Sequence, residues 1–253
     1  MSRKIFVGII LFATLIIILV LCMAISPERK ETLNIKSLWE EKNIGREEDK
    51  CEEKTKENEK VAYLTFDDGP SKNTKKILDI LERYNIKATF FIIGSSLTDE
   101  YIDQLKSMEK EGHSIGIHTF SHKYNQIYLS KDAYIEDFNK AKDILCKNLK
   151  NNPTIYRFPG GSCNCFIGAE KKLIIEELKN KGYTYYDWNV SGEDSVNRPS
   201  VNSIVNNVLK DYKNFTRPII LLHDGPLNSN TVTALPTIIE NIQKSGYKFE
   251  VLR

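Results

Sequence analysis

Hydrophobic and polar positions fall into three regimes along the chain. Ile5 to Ile25 is an unbroken apolar run, preceded by Arg3 and Lys4. At about 1.5 Å per residue a helix of that length spans roughly 30 Å, the thickness of a bilayer core. The run is longer than the apolar core of an ordinary secretory signal, and Met23-Ala24-Ile25-Ser26 makes a poor cleavage site. It predicts a single-pass, uncleaved transmembrane helix within residues 1–26, with the basic stub inside and the remainder extracytoplasmic. Residues 27–60 are rich in Glu and Lys with little apolar surface to bury, which predicts a charged linker, partly helical around Leu33 to Trp39.

From Val61 the pattern changes to short β-rich runs that alternate with helical periodicity. Strands are expected at Val61–Phe66, Ala88–Ile93, Ser114–His118, Thr154–Phe158, Tyr183–Trp188, Pro218–Leu222 and Tyr247–Leu252. Between them fall helices. The first puts Ile77, Leu78, Leu81 and Tyr84 on one face, and the next ends at Gly112. Others are expected near Ser130–Leu149, Ala169–Lys181 and Ser200–Tyr212, and from about Pro236 to Gly246. Seven β–α alternations imply an α/β domain over residues 61–253, built on a parallel sheet or barrel.

Composition adds little. Hydrophobic residues are 41% and charged residues 28%, an ordinary globular balance. The formal charge of +2 gives no electrostatic case for nucleic acid. For Cys51, Cys146, Cys163 and Cys165 the sequence assigns no disulfide pairing. Cys163-x-Cys165 reads as free or loosely paired loop thiols, because zinc sites space their cysteines more widely and use more ligands.

The chemistry lies in where the polar residues stop the strands. Asp67 and Asp68 end the first, His118 the third, and Arg157 nearly ends the fourth. Asp194 follows the fifth, and His223-Asp224 end the sixth. In a β/α barrel the carboxyl ends of the strands converge on one mouth. Two adjacent carboxylates repel unless a cation or an arginine compensates them, and an Asx turn before Gly69-Pro70 accounts for only one. His118 and His122, four apart on an expected helical turn, share a face, and with a carboxylate two strands away they can bind one metal. His113 reads as structural.

Thr65–Pro70, His118–His122, Tyr156-Arg157-Phe158-Pro159 and Leu221-Leu222-His223-Asp224 resemble, in order and spacing, the signature motifs of the polysaccharide deacetylase family (NodB homology, carbohydrate esterase family 4). The resemblance covers roughly residues 60–253. It implies a distorted (β/α)7 barrel, one divalent metal, and removal of acetyl groups from N-acetylglucosamine or N-acetylmuramic acid units. Zinc is the first expectation, with cobalt, nickel or manganese as alternatives.

Carried over by motif, Asp68, His118 and His122 are the metal ligands. Asp67 is the general base, and Arg157 its partner. His223 is the general acid, and Asp194 its support. Leu221 lines the acetyl pocket, and Gly160 offers a backbone N–H to the oxyanion. The implied partners are a cell-wall glycan and, through the anchor, the membrane. The expected state is a monomer. An O-acetyl esterase and an inactive glycan-binding module are the rival readings.

Three departures stand out. Lys123 follows His122 where the family has proline. The third motif ends Arg157-Phe158-Pro159-Gly160, without its usual tyrosine. Asp194 precedes Ser195 rather than tryptophan, so Asp187 beside Trp188 competes for the same role. Gly160 and Gly161 replace side-chain volume with space, so they are expected to admit a bulkier or peptide-substituted sugar.

Overall fold

The computed structural model describes residues 59–253, so the expected transmembrane helix and nearly all of the expected charged linker lie outside the described residues. Among those described, no helix is long and apolar enough to cross a membrane.

β1 (Val61–Gly69) is the central strand. It pairs in parallel with β2 (Thr89–Ile92) on one side and with β7 (Ile219–His223) on the other. β3 (Ser114–Ile117), β4 (Ile155–Tyr156) and β5 (Thr184–Tyr185) continue from β2, and β6 (Val190–Ser191) flanks β7. The order β5-β4-β3-β2-β1-β7-β6 leaves β5 and β6 unpaired with each other, so the parallel ring is open between them. An opened ring of seven strands fits the expected distorted barrel.

Two strand expectations need correction. The ring includes Val190–Ser191, which the sequence pattern did not mark. The final strand, β8 (Lys248–Phe249), lies off the ring and pairs only with the start of β1. Both misreadings come from strands of two residues, too short to show a period. The fifth strand likewise shrinks from Tyr183–Trp188 to two residues.

The alternating strand positions sort the interior. In β1 and β7 the register pairs Tyr63 with Ile219, Thr65 with Leu221, and Asp67 with His223. Because strand side chains alternate between faces, these pairs stack as layers inside the ring. Tyr63, Phe91, Ile155, Tyr186, Ile219 and Leu252 pack together as its apolar floor. Leu64, Phe66, Ile220 and Leu222 point the other way, into the larger core under the helices.

Those helices are α1 (Thr74–Arg83), α2 (Asp99–Lys110), the single turn α3 (Tyr124–Ile127), α4 (Lys131–Asn148), α5 (Glu170–Asn180), α6 (Val201–Asp211) and α7 (Ser229–Lys244). α1 buries Ile77, Leu78 and Leu81, as its periodicity predicts. Ser130 and Ser200 start α4 and α6 by accepting hydrogen bonds from Ala133 N and Ser203 N, the usual way to satisfy orphan N–H groups. α7 starts at Ser229, a turn and a half or more before the expected Pro236, which sits inside it. Its buried stripe of Thr231, Ala234, Leu235, Ile238, Ile239 and Ile242 outweighs the one hydrogen bond that proline removes.

Candidate active site

The polar upper layer of the ring is built by a bulge. The β1–β2 register runs Asp67 to Phe91 and then Gly69 to Ile92, so Asp68 is an extra residue. Asp68 adopts φ +72°, which carries its carboxylate out of the strict alternation. Asp67 and Asp68 therefore both serve the mouth, where a regular strand would have sent one of them into the core.

The histidine segment is a loop, not the expected helical turn. Thr119 and His122 take φ +64° and +55°, folding the chain so that the two imidazoles face each other with centroids 5.1 Å apart. Asp137 of α4 holds this loop, with Oδ1 accepting from Phe120 N at 2.6 Å and Ser121 N at 3.0 Å. Sequence reasoning missed Asp137. Its only signal is its place on the inward face of a long helix.

His118 Nδ1 lies 2.9 Å from the Arg157 carbonyl oxygen, which can only accept. Nδ1 therefore carries the proton, leaving Nε2 as a lone-pair donor. His118 Nε2 is 3.6 Å from Asp68 Oδ1, and His122 Nε2 is 3.3 Å from the same oxygen. The three donor atoms lie within 4.8 Å of one another. Burial, reinforced by the neighbouring His118, lowers the pKa of His122 to about 4, so it stays a neutral ligand. Asp68 Oδ1 is buried without a hydrogen-bond partner. An orphaned carboxylate oxygen facing two imidazole lone pairs is the donor set a divalent cation requires, so the residues fit the expected metal.

Beside it, Arg157 is fully buried under the site. Its Nη1 donates to Asp67 Oδ1 at 2.9 Å and Thr65 Oγ1 at 2.7 Å, and its Nε donates to the Tyr186 carbonyl at 2.8 Å. Phe91 lies beneath, its ring centroid 4.2 Å from the guanidinium carbon. Burial alone would raise the pKa of Asp67. The charges of Arg157 and His223, with the Arg157 hydrogen bond, outweigh it and hold the carboxyl below its usual range. Arg157→Met removes one partner of a buried pair, and its expected cost is about 3–5 kcal/mol of unfolding free energy, readable by urea titration.

On the neighbouring strand β7, His223 Nδ1 is 2.7 Å from Asp194 Oδ1. Asp194 Oδ2 accepts from the His223 backbone N–H at 2.8 Å and from Thr231 Oγ1 at 2.6 Å. The competition between Asp194 and Asp187 is therefore decided for Asp194. Asp187 instead holds the third-motif loop, accepting from Ser162 N at 2.9 Å and Ser162 Oγ at 2.6 Å. Burial would lower the His223 pKa, but the hydrogen bond and charge of Asp194, aided by Asp67 and Asp68, raise it to about 9. Leu221 lies two residues below His223 on the same strand face and is buried.

The expectation that Gly160 and Gly161 open space is overturned. A Cβ on Gly160 would stand 2.8 Å from Tyr124 Oη, and one on Gly161 would stand 3.0 Å from the Trp188 ring. Both glycines have positive φ, +73° and +78°, and their missing volume is taken by Tyr124 and Trp188. His113 lies away from the site, accepting from Ala88 N at 3.1 Å, which is the structural role expected of it. Among the described residues Cys146, Cys163 and Cys165 are free thiols, which agrees with the reading of the Cys163-x-Cys165 pair.

A parallel α/β ring that gathers a metal-type donor set and two charge-paired titratable side chains, Asp67 and His223, at the carboxyl ends of its strands has the geometry of a hydrolytic site. The model of the family described as polysaccharide deacetylase matches residues 54–186, and the chain belongs to that family. It is 38% identical over 198 residues to a peptidoglycan-N-acetylglucosamine deacetylase of Bacillus cereus, covering 76% of this chain and 86% of the relative.

Among solved structures it resembles the catalytic domain of a peptidoglycan N-acetylglucosamine deacetylase from Eubacterium rectale, with TM-score 0.72 and 37% identity over 77% of this chain and 89% of the other. A carbohydrate esterase family 4 esterase of Streptococcus mutans matches with TM-score 0.71 and 31% identity, over 78% of this chain and 87% of the other.

Proposed function

We propose that this enzyme hydrolyses N-acetyl groups of amino sugars in a cell-surface polymer, with peptidoglycan the substrate. The carrying observation is the His223–Asp194 pair at 2.7 Å standing beside the Asp67–Arg157 pair in one layer of the ring. An amide leaves as an amine only if its nitrogen receives a proton. An imidazole with a pKa of about 9 is charged at neutral pH and holds that proton ready.

In this reading Asp68, His118 and His122 hold one divalent cation, zinc first and cobalt, nickel or manganese as substitutes. Such a cation supplies Lewis acidity toward the acetyl carbonyl and makes water more acidic. Asp67, kept ionised by Arg157, takes the proton of the attacking water. The Gly160 N–H serves the oxygen on which charge develops. His223 gives its proton to the sugar nitrogen as the carbon–nitrogen bond breaks, releasing acetate and a free amine. Asp194 orients the imidazole, and Leu221 receives the acetyl methyl. The apolar run Ile5–Ile25 anchors the enzyme as a monomer, with residues 27–60 holding the domain off an extracytoplasmic membrane face.

Mass spectrometry of muropeptides from sacculi treated with the purified enzyme tests the substrate. Muropeptides that lose acetyl groups and gain amines are expected. Sacculi left fully N-acetylated while acetate is released would favour an O-acetyl esterase, and no acetate at all would favour a glycan-binding module.

The pH profile carries a further expectation. Activity requires protonated His223, so kcat/KM should fall as pH rises through about 9. Asp194→Asn removes the negative charge that helps to raise this pKa, so the alkaline limb should move toward lower pH. Steady-state kinetics from about pH 5 to 10 give the check, and an unmoved limb would detach Asp194 from the acid.

A further inference from the structure

We propose that Tyr124, the first residue of the turn α3, is a substrate-binding residue whose hydroxyl donates a hydrogen bond to an oxygen of the sugar being deacetylated. The proposal rests on the deacetylase reading above and adds a contact to it.

Three observations converge. First, Tyr124 stands between two parts of the site. Its ring meets the His122 imidazole edge-on at 5.4 Å, and its Oη lies 2.8 Å from the place a Cβ on Gly160 would occupy. The side chain missing from the third motif is thus replaced by one reaching across from α3.

Second, the ring is fixed in place. Tyr128 and Phe166 pack against it at centroid distances of 5.8 and 5.3 Å, both at 72°. Tyr128 is itself tied to the third-motif loop, its hydroxyl donating to the Pro159 carbonyl at 2.8 Å. Asn164 ties the same loop, donating to the Pro159 and Gly161 carbonyls. A side chain braced from two directions carries little entropy into a complex.

Third, the hydroxyl is unused. Tyr124 Oη makes no hydrogen bond to any described residue, although its neighbour Tyr128 Oη does. The residue is half-buried, and its unpartnered hydroxyl is not one of the buried polar atoms, so it keeps access to solvent. A tyrosine serving only as packing would do as well as phenylalanine here. The exposed Phe166, 56% accessible, extends the same aromatic surface outward from the mouth.

The test uses the metal-loaded enzyme with Tyr124→Phe and Tyr124→Leu. Affinity for a chitooligosaccharide is measured by calorimetry in the Asp67→Asn background, which holds the glycan unhydrolysed. Turnover of an acetyl ester of a phenol, which has no sugar, is measured in the otherwise unchanged enzyme. Removing one hydrogen bond to the sugar should weaken glycan affinity about tenfold in Tyr124→Phe, leave ester turnover within about twofold, and leave metal content at wild-type stoichiometry. Tyr124→Leu, which also loses the ring, should bind the glycan no better than Tyr124→Phe. Equal glycan affinity in the parent and in Tyr124→Phe would overturn the proposal. So would a matching loss on the ester, or a parent that binds no chitooligosaccharide. Amine release from glycan by the unmodified enzyme is scored separately. Its absence, with the affinity difference intact, would remove the deacetylase reading and leave the Tyr124 contact standing.

Discussion

Changing His118 and His122 together to alanine is expected to abolish stoichiometric divalent-metal binding and to reduce deacetylase activity to background, with the fold retained. The two imidazoles supply two of the three donors that lie within 4.8 Å of one another. Asp68 alone is a single carboxylate, and one such ligand does not hold a transition metal against water. The structural loss is small. His118 gives up its contact to the Arg157 carbonyl, a hydrogen bond of about 1 kcal/mol, and His122 sits on a loop braced by Asp137. Metal analysis after dialysis, alongside circular dichroism, reads both halves of this expectation. A folded double variant that retains one metal per chain would show that the cation sits elsewhere.

The second large effect separates proton removal from proton delivery. Asp67→Asn keeps the shape of the Arg157 contact but cannot accept a proton, and His223→Ala removes the donor. Each should retain metal and lose about 10²–10⁴-fold in kcat on the amide. They should part company on an acetyl ester of a good phenol leaving group, which departs without a proton. There His223→Ala should lose much less than on the amide, while Asp67→Asn should lose heavily on both. The pH profile of His223→Ala should also lose its alkaline limb near 9, because no imidazolium remains to titrate. Equal losses by both variants on both substrates would mean the division of roles is wrong, even with the metal site intact.

Much of this site was legible before any coordinate, because its chemistry sits at strand ends. Asp67, Asp68, His118, Arg157 and His223 each follow an apolar run, and parallel strands of a ring deliver their carboxyl ends to one mouth. What escaped the sequence depended on backbone conformation or on contacts between distant loops. The bulge at Asp68 and the left-handed residues Thr119 and His122 leave no periodic trace, so the histidine loop read as a helical turn. The glycine pair at 160 and 161 read as open space because Tyr124 and Trp188, which fill it, arrive from other segments. The rival carboxylates Asp187 and Asp194 were separable only by hydrogen bonds, one to Ser162 and the other to His223. β5, β6 and β8, each two residues long, were too short to be told from loops or bounded correctly.

The most direct measurement of the central claim is the ratio of free amine to acetate released from purified peptidoglycan by the metal-loaded enzyme. N-deacetylation breaks one carbon–nitrogen bond per acetate, so the two products should rise together in equal amounts, and both should disappear in the His118/His122 double variant. Acetate released without new amine would contradict the claim and identify an O-acetyl esterase.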